Sequence, residues 1–240
     1  MRSGSRQQPP PLHIPIPLRT TRDIVEASGG AVVIDVMRAF TTTAWAFHLG
    51  AEKIILLREL RDALALKART PGALAFQDEV PLPGFDLANS PVRIEQLDVR
   101  GRTIFQRTTS GTQGANAAAH CRPLLCTGFA TARATAEAMR RQPEVPWHFV
   151  ITGDAGEAQE DIACAEYIDA LLADERASSI PHLEKARGSR AARDMSAAAA
   201  RGHGGVDVGD MERCLEADRF GFAMAAAMEE GLLTLRPVHP

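Results

Sequence analysis

Two short stretches carry residue types suited to chemistry on a small anionic molecule. The first is Val33-Ile-Asp-Val-Met-Arg38, which supplies a carboxylate (Asp35) and a guanidinium (Arg38). The second is Arg107-Thr-Thr-Ser-Gly-Thr-Gln-Gly-Ala115, which supplies hydroxyls and glycine backbone. Each follows a short β-branched run and leads into an alanine-rich segment with helical character. In open α/β sheets such strand ends face the crevice where ligands bind. Free backbone N–H groups and hydroxyls there favour an anion. Together the two stretches suit a metal-assisted reaction on a small phosphate ester.

Asp35 follows an apolar run, where a carboxylate is costly unless it is paired, hydrogen-bonded or metal-bound. A salt bridge with Arg38, or a cap on the following helix, is one explanation. A metal ligand or nucleophile at the strand's carboxyl end is the other, and strand-end carboxylates are frequent in α/β sites. Of Thr41-Thr-Thr43, one hydroxyl is expected to cap the helix, leaving Thr41 or Thr42 to face a phosphate. Gly84-Phe-Asp-Leu-Ala-Asn-Ser-Pro91 presents Asp86, Asn89 and Ser90 in turn chemistry, and Ser90-Pro91 is a good helix start. In Thr108-Thr-Ser-Gly-Thr112 the residues Thr108, Thr109, Ser110, Gly111 and Thr112 are expected to cradle an oxyanion through backbone N–H groups. Gly153-Asp-Ala-Gly-Glu-Ala-Gln-Glu-Asp161 packs four carboxylates after a strand. Some suit the positive end of a helix. Others, Glu160 and Asp161 foremost, suit a hard cation such as Mg²⁺.

The elements that must position these groups follow from periodicity. Short apolar runs (31–36, 53–57, 73–76, 103–107, 123–126, 147–151) alternate with helical patterns (42–49, 59–69, 112–119, 130–141, 159–173). That alternation predicts βαβ units and an α/β fold, a three-layer α/β/α arrangement around a mostly parallel, possibly mixed, sheet. Residues 176–207, rich in Ala, Arg, Gly and Ser, read as a helix plus a loose loop around Gly202–Gly205. The segment 208–230 reads as one long helix ending at Gly231, with a last strand over 232–236.

With 45% apolar residues the 240-residue chain can bury a single core. We expect a disordered or extended segment over residues 1–18 and one α/β domain over 19–240. The formal net charge of −3 and the low aromatic content, 5%, argue against a nucleic-acid binder. No window has the ~20 apolar residues of a membrane span. Four cysteines without a C-x-x-C pair argue against a disulfide framework or structural zinc. These features predict a cytoplasmic protein, and a homodimer is the default for such enzymes. No Gly-Lys-Ser/Thr phosphate loop is present, no histidine pair has i,i+4 spacing, and Asp35 lacks a second Asp two residues on.

On these motifs the chain resembles the 2-phosphosulfolactate phosphatase family from about Ala31 to Val238. Val33–Thr42 looks like that family's first signature, and Gly84–Pro91 like its second and most distinctive. Thr108–Thr112 is similar to a Thr-Thr-Asn-Gly-Thr signature, with Ser110 in place of Asn. Gly156–Ala165, and Asp210–Cys214 with Asp218, resemble the C-terminal signatures. The segment Phe76–Pro81 is shorter than the family's and lacks its Arg. The resemblance implies a Mg²⁺-dependent phosphatase that converts 2-phosphosulfolactate to sulfolactate and phosphate, a coenzyme M-type biosynthetic step. On it, Asp35, Asp86, Glu160 and Asp161 are the candidate metal ligands, and Asp35 and Arg38 the candidate catalytic pair. A phosphatase for another phosphorylated 2-hydroxy acid, or an inactive small-anion-binding domain, would use the same scaffold.

Overall fold

The computed structural model describes residues 15–240 except Glu79 and Gly204, so most of the expected N-terminal extension (1–14) lies outside the described residues. The strands are β1 (Leu18–Thr20), β2 (Gly30–Ile34), β3 (Lys53–Leu56), β4 (Leu74–Gln77), β5 (Leu87–Ala88), β6 (Thr103–Arg107), β7 (Leu124–Thr127), β8 (Trp147–Ile151), β9 (Ala223–Glu229) and β10 (Leu232–Val238). The helices are α1 (Ala39–His48), α2 (Leu60–Arg69), α3 (Gly111–Ala117), α4 (Ala132–Arg140), α5 (Gln159–Ala173), α6 (Ile180–Arg187), α7 (Arg190–Ala200) and α8 (Asp210–Cys214). Among the described residues no helix is long and apolar enough to cross a membrane.

All ten strands form one mixed sheet in the order β1-β8-β2-β7-β9-β10-β3-β6-β4-β5. Two parallel blocks, β1-β8-β2-β7 and β3-β6-β4-β5, are joined by the antiparallel β9–β10 hairpin. Along the ladder the two blocks therefore run in opposite directions. Their carboxyl ends meet, with the start of α3 lying against Asp35.

The apolar runs of the parallel strands are buried on both faces, as helices on both sides require. One core joins Val33, Phe40, Ile54, Phe76, Ile104, Cys126 and Leu235, with α1 and α3 packed inside it. A second lies between Ile34, Phe149, Ile151 and the helices α4, α5 and α6. A smaller third lies beneath α2.

The sheet order corrects the long helix expected over 208–230. Only Asp210–Cys214 is helical, and Ala223–Glu229 is strand β9. Its Ala-Met-Ala-Ala-Ala-Met run has strong intrinsic helix propensity. It pairs instead with β7 on one side and β10 on the other, and its small side chains leave room for α4 against the sheet. Tertiary pairing overrides propensity here. The segment 176–207 holds two helices, α6 and α7, where one was expected.

Candidate active site

Asp35 stands one residue beyond β2 and is 6% exposed. Its Oδ1 accepts the Ala39 N–H at 3.0 Å, so Asp35 itself serves the first turn of α1. The Gly111 backbone lies against the same carboxylate, and its amide, like that of Ala39, favours the charged form. The expected caps, Thr41 to Thr43, lie inside the helix instead. Thr41 Oγ1 donates to the Val36 carbonyl at 2.8 Å, and Thr43 Oγ1 lies within bonding distance of both Ala39 O and Gln106 Oε1. Thr42 is fully buried, and its hydroxyl has no partner. Both Thr41 and Thr42, expected to face a phosphate, are buried, and neither lines the cavity at Asp35.

A cavity of about 230 Å³ opens at Asp35 and brings in Arg38, Asp78, Asn89, Thr109, Ser110, Glu160 and Asp161. With Asp35 the cavity thus holds four carboxylates, drawn from two strand ends (β2 and β4) and the first turn of α5. Asp161, in the first turn of α5, accepts the Val36 N–H at 2.8 Å on Oδ1 and the Gly153 N–H at 3.3 Å on Oδ2. Glu160, beside Asp161 on α5, is 6% exposed, and the nearby Ser189 hydroxyl favours its charged form. Asp78, just past β4, accepts both the amide and the hydroxyl of Thr109. Burial, opposed by the Ala39 amide but aided by the charges of Asp78 and Glu160, pushes the Asp35 carboxyl up to about 7. Burial and the neighbouring Asp35 and Glu160 raise Asp161 as well, and burial raises Glu160.

Arg38 does not pair with Asp35. Its Nη1 donates to Asp210 Oδ2 at 2.7 Å and to the Gly205 carbonyl at 2.5 Å. Asp210, fully buried, also accepts Ser90 Oγ at 2.7 Å and the amides of Val92 and Asp207. Ser90 does accept the Arg93 N–H, as its cap role predicts, but it sits behind the cavity wall. The neighbouring Asn89 faces in. Its Oδ1 accepts Gln106 Nε2 at 3.1 Å, which leaves its own amide N–H groups for a ligand.

The turn after β6 departs from the expected cradle. Thr108 and Thr112 bond each other reciprocally, each amide donating to the other's hydroxyl, and neither lines the cavity. The Thr109 amide goes to Asp78. Three of the five amides from 108 to 112 are thus hydrogen-bonded to protein oxygens and a fourth, that of Gly111, faces Asp35, so the turn offers Thr109 and Ser110 at the cavity edge. Asp86 is also absent from the site. It pairs with Lys67 at 2.7 Å and accepts the Ala75 amide at 2.7 Å, on the outer side of β4. A lysine within reach on α2 satisfies it there.

Sequence reasoning gave no site role to Asp78, Thr152 or His203, and read Asp210 only as part of a family-like signature. Asp78 carries the same signal as Asp35, a carboxylate at the end of an apolar strand. His203 sits in the loop 201–209, where no periodicity points inward. Among the described residues no three His, Cys, Asp or Glu side chains stand close enough to make a ready-formed metal cage.

A carboxylate-lined cavity at the converging strand ends of a twisted α/β sheet defines an α/β protein built to take a small polar ligand. The chain belongs to the 2-phosphosulpholactate phosphatase family, whose model matches residues 16–203. A probable 2-phosphosulfolactate phosphatase of Bacillus subtilis (strain 168) is 36% identical to it over 143 residues, 59% of this chain and 63% of that protein. One of Carboxydothermus hydrogenoformans is 35% identical over 150 residues, 60% of this chain and 61% of the other. One of Synechococcus sp. (strain WH7803) is 36% identical over 157 residues, 62% and 63% of the two chains. The chain thus spans less than two thirds of the length of these curated relatives.

Proposed function

We propose that this chain is a Mg²⁺-dependent phosphatase that hydrolyses 2-phosphosulfolactate to sulfolactate and inorganic phosphate, the coenzyme M-type biosynthetic step. Family membership supports the reaction class, and the names of the relatives support the substrate.

The observation that carries the reading is the grouping of Asp35, Asp78, Glu160 and Asp161 around one cavity. A phosphate ester entering it meets four carboxylates and few open amides. A divalent cation reconciles that lining with an anionic substrate. It also offsets the crowding that raises Asp35, Glu160 and Asp161 toward their protonated forms. The donor set fits Mg²⁺, which is held by one or two carboxylates, waters and substrate phosphates and needs no protein cage. We assign Asp35 and Glu160 as the carboxylates that would hold it, with Asp161 bordering the same space. Bound there, Mg²⁺ would supply Lewis-acid stabilisation of the charge that develops in phosphoryl transfer.

The remaining work falls to the chain's own groups. Asp161, with both oxygens on backbone amides, holds the loop after β2 against the loop after β8. The Gln106 side chain fixes Asn89 so that its N–H groups point at the phosphoryl position. Ser110 presents a hydroxyl from the opposite wall. Arg38, paired with Asp210, borders the same space and offers it guanidinium N–H donors.

The test is phosphate release from a panel of 2-phospho-hydroxy acids, with Mg²⁺ and with EDTA. Metal-dependent turnover with preference for 2-phosphosulfolactate is expected, and Asp35→Asn should lower kcat/KM by about a hundredfold or more. Ligand binding without turnover would overturn the reading in favour of a binding domain.

A further inference from the structure

A second cavity, about 460 Å³, adjoins the first and shares Thr109, Ser110 and Thr152 with it. Its electrostatics differ. The first cavity has four carboxylates, and its arginine is already neutralised by Asp210. The second has one carboxylate, Asp23, and one arginine, Arg22. Asp23 Oδ2 is engaged by the Thr20 hydroxyl at 2.8 Å. Arg22, exposed and among the residues that line the cavity, makes no ion pair among the described residues.

The turn that carries Arg22 is held in place. Thr20 Oγ1 accepts the amides of both Arg22 and Asp23 at 3.2 Å. Thr20 also presses on the loop after β8, where a Cβ on Gly156 would lie 2.6 Å from Thr20 Cγ2. Arg22 therefore projects from a turn packed against the same loop that supplies Thr152 and Gly153 to the first cavity.

We infer that this second cavity is the subsite for the acid end of the substrate, with Arg22 as the residue that reads it. The inference rests on the phosphatase reading and deepens it. A 2-phospho-hydroxy acid carries further oxyanions on the carbon skeleton beside its phosphate. With the phosphate in the carboxylate-lined cavity, those oxyanions are repelled from the same walls and move across the shared Ser110–Thr152 rim. An unpaired guanidinium there matches a carboxylate or sulfonate with two parallel N–H donors. The ligand class is a small polyanionic ester whose oxyanion tail sits a few bonds from the phosphate.

The test titrates sulfolactate, which lacks the phosphate, into the full chain by calorimetry in the presence of Mg²⁺. Arg22→Gln should weaken binding about tenfold or more, and Arg22→Lys should recover part of it. Lactate in a parallel titration separates the two sources of the oxyanion: Arg22-dependent lactate binding assigns the carboxylate, and its absence assigns the sulfonate. In turnover, Arg22→Gln should shrink the kcat/KM preference for 2-phosphosulfolactate over phenyl phosphate by a similar factor. Equal sulfolactate affinity in wild type and Arg22→Gln, no sulfolactate binding to wild type, or an unchanged preference would overturn the subsite. Failure of wild type to hydrolyse either ester would instead overturn the phosphatase reading, and the titration would still decide the role of Arg22.

Discussion

Gly111 lies so close to Asp35 that a Cβ on the glycine would sit 2.7 Å from Asp35 Oδ2 and 2.8 Å from Ala39 Cβ. The contact joins the end of β2 to the start of α3, across the two blocks of the sheet. There the Gly111 amide also favours the charged form of Asp35. No side chain fits there without moving the carboxylate. Gly111→Ala is expected to lower kcat/KM for phosphate release at least about tenfold. It should cost about 1–3 kcal/mol of stability, as overpacking of a tight site does. Steady-state kinetics and urea unfolding on the same preparation check both figures, and a fully active variant would contradict the assigned geometry.

Asp35 makes stability depend on pH in a direction opposite to that of an ordinary ion-paired aspartate. Its folded-state carboxyl is raised to about 7 from an ordinary value of 3.8, with burial the leading cause. Between those values the folded chain holds a proton that the unfolded chain has released. The contribution of Asp35 is therefore full below about pH 4 and is lost as pH rises through about 7. Glu160 and Asp161 shift the same way. In EDTA, the melting temperature of wild type relative to Asp35→Asn should fall across this range. A difference that stays flat from pH 4 to pH 8 would show that Asp35 is not held in the buried, crowded state described.

Asp210 has no exposure, and Arg38 is 10% exposed at its side chain, so their pair is desolvated. Removing one partner strands the other. Asp210→Ala is expected to destabilise the fold by about 3–5 kcal/mol in urea titration. The loss should be smaller when Arg38→Met is already present, since the two residues act through one contact. Equal losses in both backgrounds would place the role of Asp210 in the Ser90, Val92 and Asp207 bonds alone.

Thr42 and Asp86 are expected to be dispensable for chemistry. The Thr42 hydroxyl is buried without a partner, so Thr42→Val should leave turnover intact and stabilise the fold by about 1 kcal/mol. Asp86→Asn breaks the Lys67 pair outside the cavity and should lower stability slightly while keeping activity. Loss of turnover in either variant, with the fold intact, would return that residue to the site.

Much of the architecture was legible because local pattern and tertiary environment agree. Strand β6 over Thr103–Arg107, strand β8 over Trp147–Ile151 and helix α5 over Gln159–Ala173 fall where periodicity predicted. Strand β9 was not legible, because an alanine-rich run favours a helix until β7 and β10 supply backbone partners on both edges. Strand β5 is only two residues long, within a turn-rich segment that gives no alternation to read.

The candidate site divides along the same line. Asp35 and the Glu160-Asp161 pair were marked by chemistry that stands out locally, a carboxylate after an apolar strand and acids opening a helix. Those signals depend only on neighbours in the chain, and so the sequence alone determined them. Which hydroxyls and amides face the cavity depends on contacts between residues far apart in the chain. Asp78 takes the Thr109 amide, Lys67 takes Asp86, and Asp210 takes Arg38 across 172 positions. Only the tertiary structure decided these pairings, because a polar group's availability is set by which distant partner the packing of the elements brings within reach.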